Sequence, residues 1–150
     1  MIKKVDHVAL SVSNLERSIK FYQDIIGFKV TLRLEKGPEV LLDEVTGLPG
    51  CTAQIAHLGL GNTLLELFKF YIPREKPIPS DRHTYQHFGW IHLCFTSTDV
   101  RADYAKLKSK GVKFISKPIE FRPKVWVVYF YGPDGEVCEL RETPESNTQS

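Results

Sequence analysis

Cysteine is scarce in this sequence, and neither sign of charge is in excess. The three cysteines, Cys51, Cys94 and Cys138, are too few for the disulfide framework of a small secreted domain and favour a reducing cytoplasm. Twenty basic residues against 18 acidic ones leave a net charge of +2, which provides no single-sign field for nucleic acid. No apolar run approaches the ~20 residues that a membrane helix needs, and no signal peptide is expected.

The residues that are present predict a soluble globular domain with a real core. The chain has 150 residues, of which 42% are hydrophobic. Residues 5–12 alternate in polarity like a strand, with Val8, Leu10 and Val12 predicted to face the core. Apolar residues then recur at helical spacing from the N-cap Asn14 to Gly27. Three further strands are expected at 29–34, 51–58 and 63–70, with Gly61 and Asn62 forming a hairpin turn and 35–50 a long loop.

The second half repeats this order. A strand at 89–96 is followed by a helix from the N-cap Asp99 to Gly111, and then by strands at 112–115, 125–131 and 136–141. The prediction is therefore an α+β chain with a strand–helix–three-strand module at about 3–70, a proline-rich linker at 71–87, a second module at about 88–142 and a frayed tail at 143–150.

Two histidines and two glutamates occupy equivalent positions in the two halves. His7 and His92 lie on the first strand of each module, on the face away from the predicted core. Glu66 and Glu139 lie between apolar neighbours in each last strand. Each residue alone is usually just solvated. Their repeated placement predicts a metal site, because imidazole and carboxylate ligands together suit a divalent cation.

The sequence resembles the vicinal oxygen chelate superfamily, which includes glyoxalase I, methylmalonyl-CoA epimerase, extradiol dioxygenases and bleomycin-resistance proteins. The similarity rests on residues 6–10, 15–22, 26–28 and 61–67 in the first half, and on 91–95 and 129–140 in the second. The resemblance implies two tandem βαβββ modules whose eight strands form a cup-shaped sheet, with the helices outside.

The same resemblance implies an activity. His7, Glu66, His92 and Glu139 would bind one divalent ion (Ni, Co, Zn, Mn or Mg), and a proton would move next to a carbonyl group through a metal-bound enediolate or enolate. Glu139 is the expected base, with Glu66 as the second catalytic carboxylate. Asp43 or Glu44 is a further candidate, although a solvated loop charge is the commoner role for such residues.

The resemblance thus favours a lyase or isomerase of the glyoxalase I or epimerase type. It would act on a small carbonyl compound or an acyl-CoA, in a homodimer, with no nucleic acid or membrane partner. An Fe(II) ring-cleaving dioxygenase and a non-catalytic drug-binding resistance protein are the alternatives, and both fit the four candidate ligands less well.

Overall fold

The computed structural model describes residues 3–36, 40–74, 76–77 and 88–144. The chain divides into two compact units, Met1–Pro77 and Ile78–Ser150. No helix of the described residues is long and apolar enough to cross a membrane.

The first unit contains a four-stranded mixed sheet with the order β1-β4-β3-β2. Its elements are β1 (Val8–Ser11), α1 (Leu15–Phe21) with a π-helical turn (Tyr22–Ile26), β2 (Lys29–Lys36), α2 (Val40–Thr46), β3 (Thr52–Leu60) and β4 (Thr63–Ile72). β1 runs parallel to β4, and the other pairs are antiparallel. The Asn14 side chain accepts a hydrogen bond from the Arg17 amide at the start of α1, and Gly27 ends the π-helical turn at φ 108°.

The second unit has the same sheet order, β5-β8-β7-β6. Its elements are β5 (Leu93–Thr96), α3 (Val100–Ser109), β6 (Ile119–Arg122), β7 (Val125–Tyr131) and β8 (Val137–Glu142). β5 is parallel to β8. Asp99 caps α3, and the buried Glu142 side chain accepts a hydrogen bond from the Val100 amide, which ties the start of this helix to the sheet. The predicted α+β architecture of two strand–helix–three-strand modules is confirmed, and neither sheet closes on itself.

The predicted loop at 35–50 was wrong. β2 continues to Lys36 and α2 occupies Val40–Thr46. The glycines that suggested a loop follow the helix rather than interrupt it, and Gly47 has the positive φ of 68° that suits a residue following a helix. β4 likewise extends to Ile72, two residues into the predicted linker, most of which lies outside the described residues.

The predicted strand at 112–115 was also wrong. Phe114 forms a single bridge with Phe130, and the edge strand of this sheet is β6, further along the chain. The predicted core position Val8 is 37% exposed, because β1 is an edge strand that pairs only with β4. Val12 is buried as expected.

Candidate metal centre

The first unit brings His7 and Glu66 together. β1 and β4 pair in parallel with Ala9 beside Glu66, so His7, two residues before Ala9, lies on the same face of the sheet. The His7 Nε2 atom is 3.4 Å from Glu66 Oε2. The Glu66 side chain is largely buried and that of His7 is partly exposed.

Asp6 decides which nitrogen of His7 carries the proton. Its Oδ2 lies 3.2 Å from His7 Nδ1, and an ionised carboxylate can only accept a hydrogen bond. The His7 hydrogen bond, followed by the charge of Lys4, lowers the pKa of the Asp6 carboxyl. A hydrogen bond from Nδ1 to Asp6 leaves Nε2 as the His7 nitrogen that faces Glu66, which is the arrangement in which a histidine binds a metal through Nε2.

His57 is a third residue of this face, which the sequence analysis left without a role. It pairs across the hairpin with Glu66, and its Nε2 lies 2.7 Å from Glu66 Oε1. The imidazole donates this hydrogen bond, because the carboxylate is an acceptor only. Glu66 therefore has one oxygen bound by His57 and the other facing His7.

The second unit contains the equivalent pair. His92 Nε2 is 3.0 Å from Glu139 Oε2, and Glu139 is only 6% exposed. β5 and β8 are in parallel register with Cys94 beside Glu139, so His92 stands two residues earlier on the same face. Tyr129 pairs with Glu139 from β7, and its ring centroid is 5.4 Å from that of His92.

Two acidic groups beside Glu139 stay protonated at neutral pH. Burial, with the nearby Glu139 charge, raises the pKa of the Cys94 thiol to about 12. Burial and the same carboxylate also raise the pKa of the Tyr129 hydroxyl. Without a metal the Cys94 thiol is therefore not a nucleophile, and Glu139 and His92 are the two side chains that contact each other on this face.

The spacing in each unit fits a divalent metal. Among the described residues no three histidine, cysteine or acidic side chains together could hold an ion, so the donors occur as pairs. Two ligands on adjacent positions of one metal, each at about 2.1 Å, are about 3.0–3.4 Å apart. The two histidine–glutamate distances are 3.4 and 3.0 Å. The 2.7 Å contact of His57 is that of a hydrogen bond, and the 3.0 Å contact of His92 fits a hydrogen bond as well as two ligands of one metal.

Asp43, one of the two further candidates for the base, has a structural role. Its two carboxylate oxygens accept hydrogen bonds from the Gly50 and Cys51 amides at 2.8 and 2.7 Å. These bonds tie α2 to the start of β3, so neither oxygen of Asp43 is available without disrupting that connection. Glu44 is exposed on the same helix.

Comparisons with known proteins agree with this fold. The chain matches the Glyoxalase/Bleomycin resistance protein/Dioxygenase superfamily over residues 4–140. It is 30% identical over 145 residues to the uncharacterized protein YwbC of Bacillus subtilis (strain 168). That alignment covers 93% of this chain and 98% of YwbC. It is 26% identical over 142 residues to the mitochondrial methylmalonyl-CoA epimerase of Homo sapiens. That alignment covers 93% of this chain and 73% of the epimerase.

The fold also matches a solved structure. A glyoxalase family protein from Bacillus cereus superimposes with a TM-score of 0.83 at 22% identity, over 95% of this chain and 96% of that one. The resemblance inferred from the sequence is confirmed: the chain belongs to the glyoxalase/bleomycin resistance protein/dioxygenase superfamily.

Proposed function

We propose that this protein is a divalent-metal-dependent isomerase or lyase that moves a proton at the carbon next to a carbonyl group. The ligands are His7, Glu66, His92 and Glu139, one imidazole and one carboxylate from each unit. The observation that carries the proposal is the recurrence of this pair at ligand spacing in both units. The proposed substrate is a small carbonyl compound or an acyl-CoA, and the proposed assembly is a homodimer.

A bound divalent ion would act as a Lewis acid, which lowers the cost of removing a proton next to a carbonyl. The protein supplies the groups that hold and move that proton. Glu139 is the proposed base, because its carboxylate is nearly buried and lines a cleft. Glu66 is the proposed second proton carrier. The hydrogen bond from His57 holds its carboxylate in one orientation.

Metal content tests this proposal directly. The purified protein, loaded in turn with Ni, Co, Zn, Mn and Mg, is expected to retain about one ion per chain after dialysis. Both His7→Ala and His92→Ala should lose the ion, because each removes one nitrogen ligand. Elemental analysis measures the content. Asp24→Ala, which removes an exposed carboxylate on the π-helical turn, is the control and should keep the metal.

Three outcomes would change the conclusion. A wild-type protein that binds no metal under any loading condition would refute the proposed function. Loss in His7→Ala alone would remove the second unit from the ligand set. Bound iron together with oxygen uptake would favour the ring-cleaving dioxygenase over the isomerase.

His57 provides a second prediction. His57→Ala is expected to weaken metal binding about 10- to 100-fold, because Glu66 loses the group that orients it. His57→Gln retains an N–H donor and should recover much of that loss. Competition against a chromophoric chelator measures the affinity, and thermal melting shows that each variant is folded. Equal affinity in wild type and His57→Ala would mean that this hydrogen bond does not position Glu66.

A further inference from the structure

The second unit contains a cleft of about 350 Å³ next to Glu139. It lies on the face of the sheet opposite α3, where Tyr129 and Glu139 are cross-strand neighbours. Its remaining lining consists of one hydroxyl residue, Ser116, with aliphatic and aromatic side chains and the two arginines Arg122 and Arg141. The proposed base therefore opens into a cleft with two guanidinium groups.

These two arginines are not neutralised by the protein. Neither Arg122 nor Arg141 forms an ion pair with any residue in the described part of the chain. Arg33, by contrast, forms a bidentate ion pair with Glu16. Arg141 stands two residues after Glu139 on the same face of β8, yet Glu139 Oε2 contacts His92 rather than this guanidinium. The positive charge of Arg141 remains available to a ligand.

The apolar lining of the cleft strengthens the attraction between these arginines and an anion. Val125 is buried and Val127 is half-buried in the cleft, so an ion that enters it is partly removed from water. A guanidinium is weakly hydrated and binds the oxygens of a carboxylate or phosphate through two parallel N–H bonds. An anion is thus the ligand chemistry that this cleft fits.

The first unit lacks this feature at the equivalent position. The residue two positions after Glu66 is Phe68, whose ring stacks on Phe70 at 5.4 Å between centroids. The same structural position is therefore apolar in one unit and cationic in the other. A requirement shared by both sheets, such as solubility or strand pairing, does not account for Arg141.

We propose that the cleft binds an anionic group of the substrate, a carboxylate or a phosphate, and that Arg141 and Arg122 are the residues that select it. The inference rests on the proposed function in one respect: the bound anion would place its neighbouring carbon near Glu139. The substrate class is thereby narrowed to carbonyl compounds that carry an anionic oxygen group within reach of the reacting carbon.

Calorimetric titration with three probes tests this inference. Oxamate and oxamide have nearly the same shape and differ in charge, and inorganic phosphate is the second anion. Wild type is expected to bind oxamate at least about 10-fold more tightly than oxamide. Arg141→Gln and Arg122→Gln should each weaken oxamate binding about 10- to 100-fold and leave oxamide unchanged. Lys106→Gln, an equal charge change on α3, is the control and should bind like wild type.

The titrations are run on metal-loaded and on chelator-treated protein. An arginine-dependent preference that persists without metal supports the inference even where the metal-content test fails, so the two proposals fail separately. Arginine-dependent binding of phosphate above oxamate assigns the site to phosphate, and the reverse order assigns it to carboxylate. No preference for oxamate or phosphate over oxamide in wild type, or an unchanged preference in both arginine variants, overturns the inference.

Discussion

Glu139→Gln is expected to slow proton transfer at the substrate carbon about 10²- to 10⁴-fold, the usual contribution of a general base. Glutamine has nearly the same shape as glutamate and keeps an oxygen that can remain near His92. It does not accept a proton at neutral pH, so the variant separates the proton-transfer role of Glu139 from its role in shape.

Deuterium exchange measures this effect without knowledge of the physiological product. Hemithioacetals of 2-oxoaldehydes and a panel of acyl-CoA compounds are incubated in D₂O, and loss of the proton signal next to the carbonyl is followed by NMR. Glu120→Gln, the same chemical change on the exposed β6, is the matched control. Elemental analysis of each variant separates loss of the base from loss of the metal. A metal-loaded Glu139→Gln protein with full exchange activity would exclude Glu139 as the base.

Phe130→Ala is expected to reduce the free energy of unfolding by about 3–5 kcal/mol, a large share of a typical domain's stability. Phe130 is fully buried on the helix-facing side of β7, where its ring contacts Phe95 and Phe114 at centroid distances of 6.4 and 5.7 Å. Its removal leaves a cavity among rings that cannot collapse to fill it, because β5 and β7 are both held by β8.

Denaturant unfolding of the two phenylalanine variants compares a buried with an exposed site in one sheet. Phe121→Ala, at a ring that is 75% exposed on β6, should change the stability by less than about 0.5 kcal/mol. If the free energy of unfolding fell as little in Phe130→Ala as in Phe121→Ala, the packing around Phe130 would not stabilise the second unit. An altered dependence on denaturant concentration would show that the variant changes the surface exposed on unfolding or no longer unfolds in two states.

Strand alternation and the internal repeat were enough to single out two histidines and two glutamates as candidate ligands, but not to predict that they lie in the structure as one histidine–glutamate pair in each unit. In each half, one histidine precedes the first strand and one glutamate lies within the last, with apolar neighbours on both sides. The structure places each pair on one face because the first and last strands of each sheet run parallel and adjacent. That adjacency joins residues far apart in sequence, so periodicity within a strand does not reveal it.

The position of His57 opposite Glu66 can be predicted from the sequence. The predicted turn at Gly61 and Asn62 sets the register of the hairpin, and counting back from that turn puts His57 opposite Glu66. Arg141 had a similar signal, since a residue two positions after Glu139 must share its face. The cleft that Arg141 lines was not predictable, because part of it is formed by β6 and the sequence pattern had placed that strand at residues 112–115.

The two strand–helix–three-strand modules, the helix caps at Asn14 and Asp99 and the four candidate metal ligands were all predictable from the order of residues along the chain. These features depend on local periodicity, local hydrogen bonds and repetition, all of which are written in neighbouring residues. The three-dimensional fold was needed to show that His57 forms a hydrogen bond with Glu66, that Asp43 accepts the Gly50 and Cys51 amides and that Arg141 lines a cleft. Each of these three features joins residues from different segments of the fold. It depends on which elements lie side by side, and contacts between distant segments of the chain decide that arrangement.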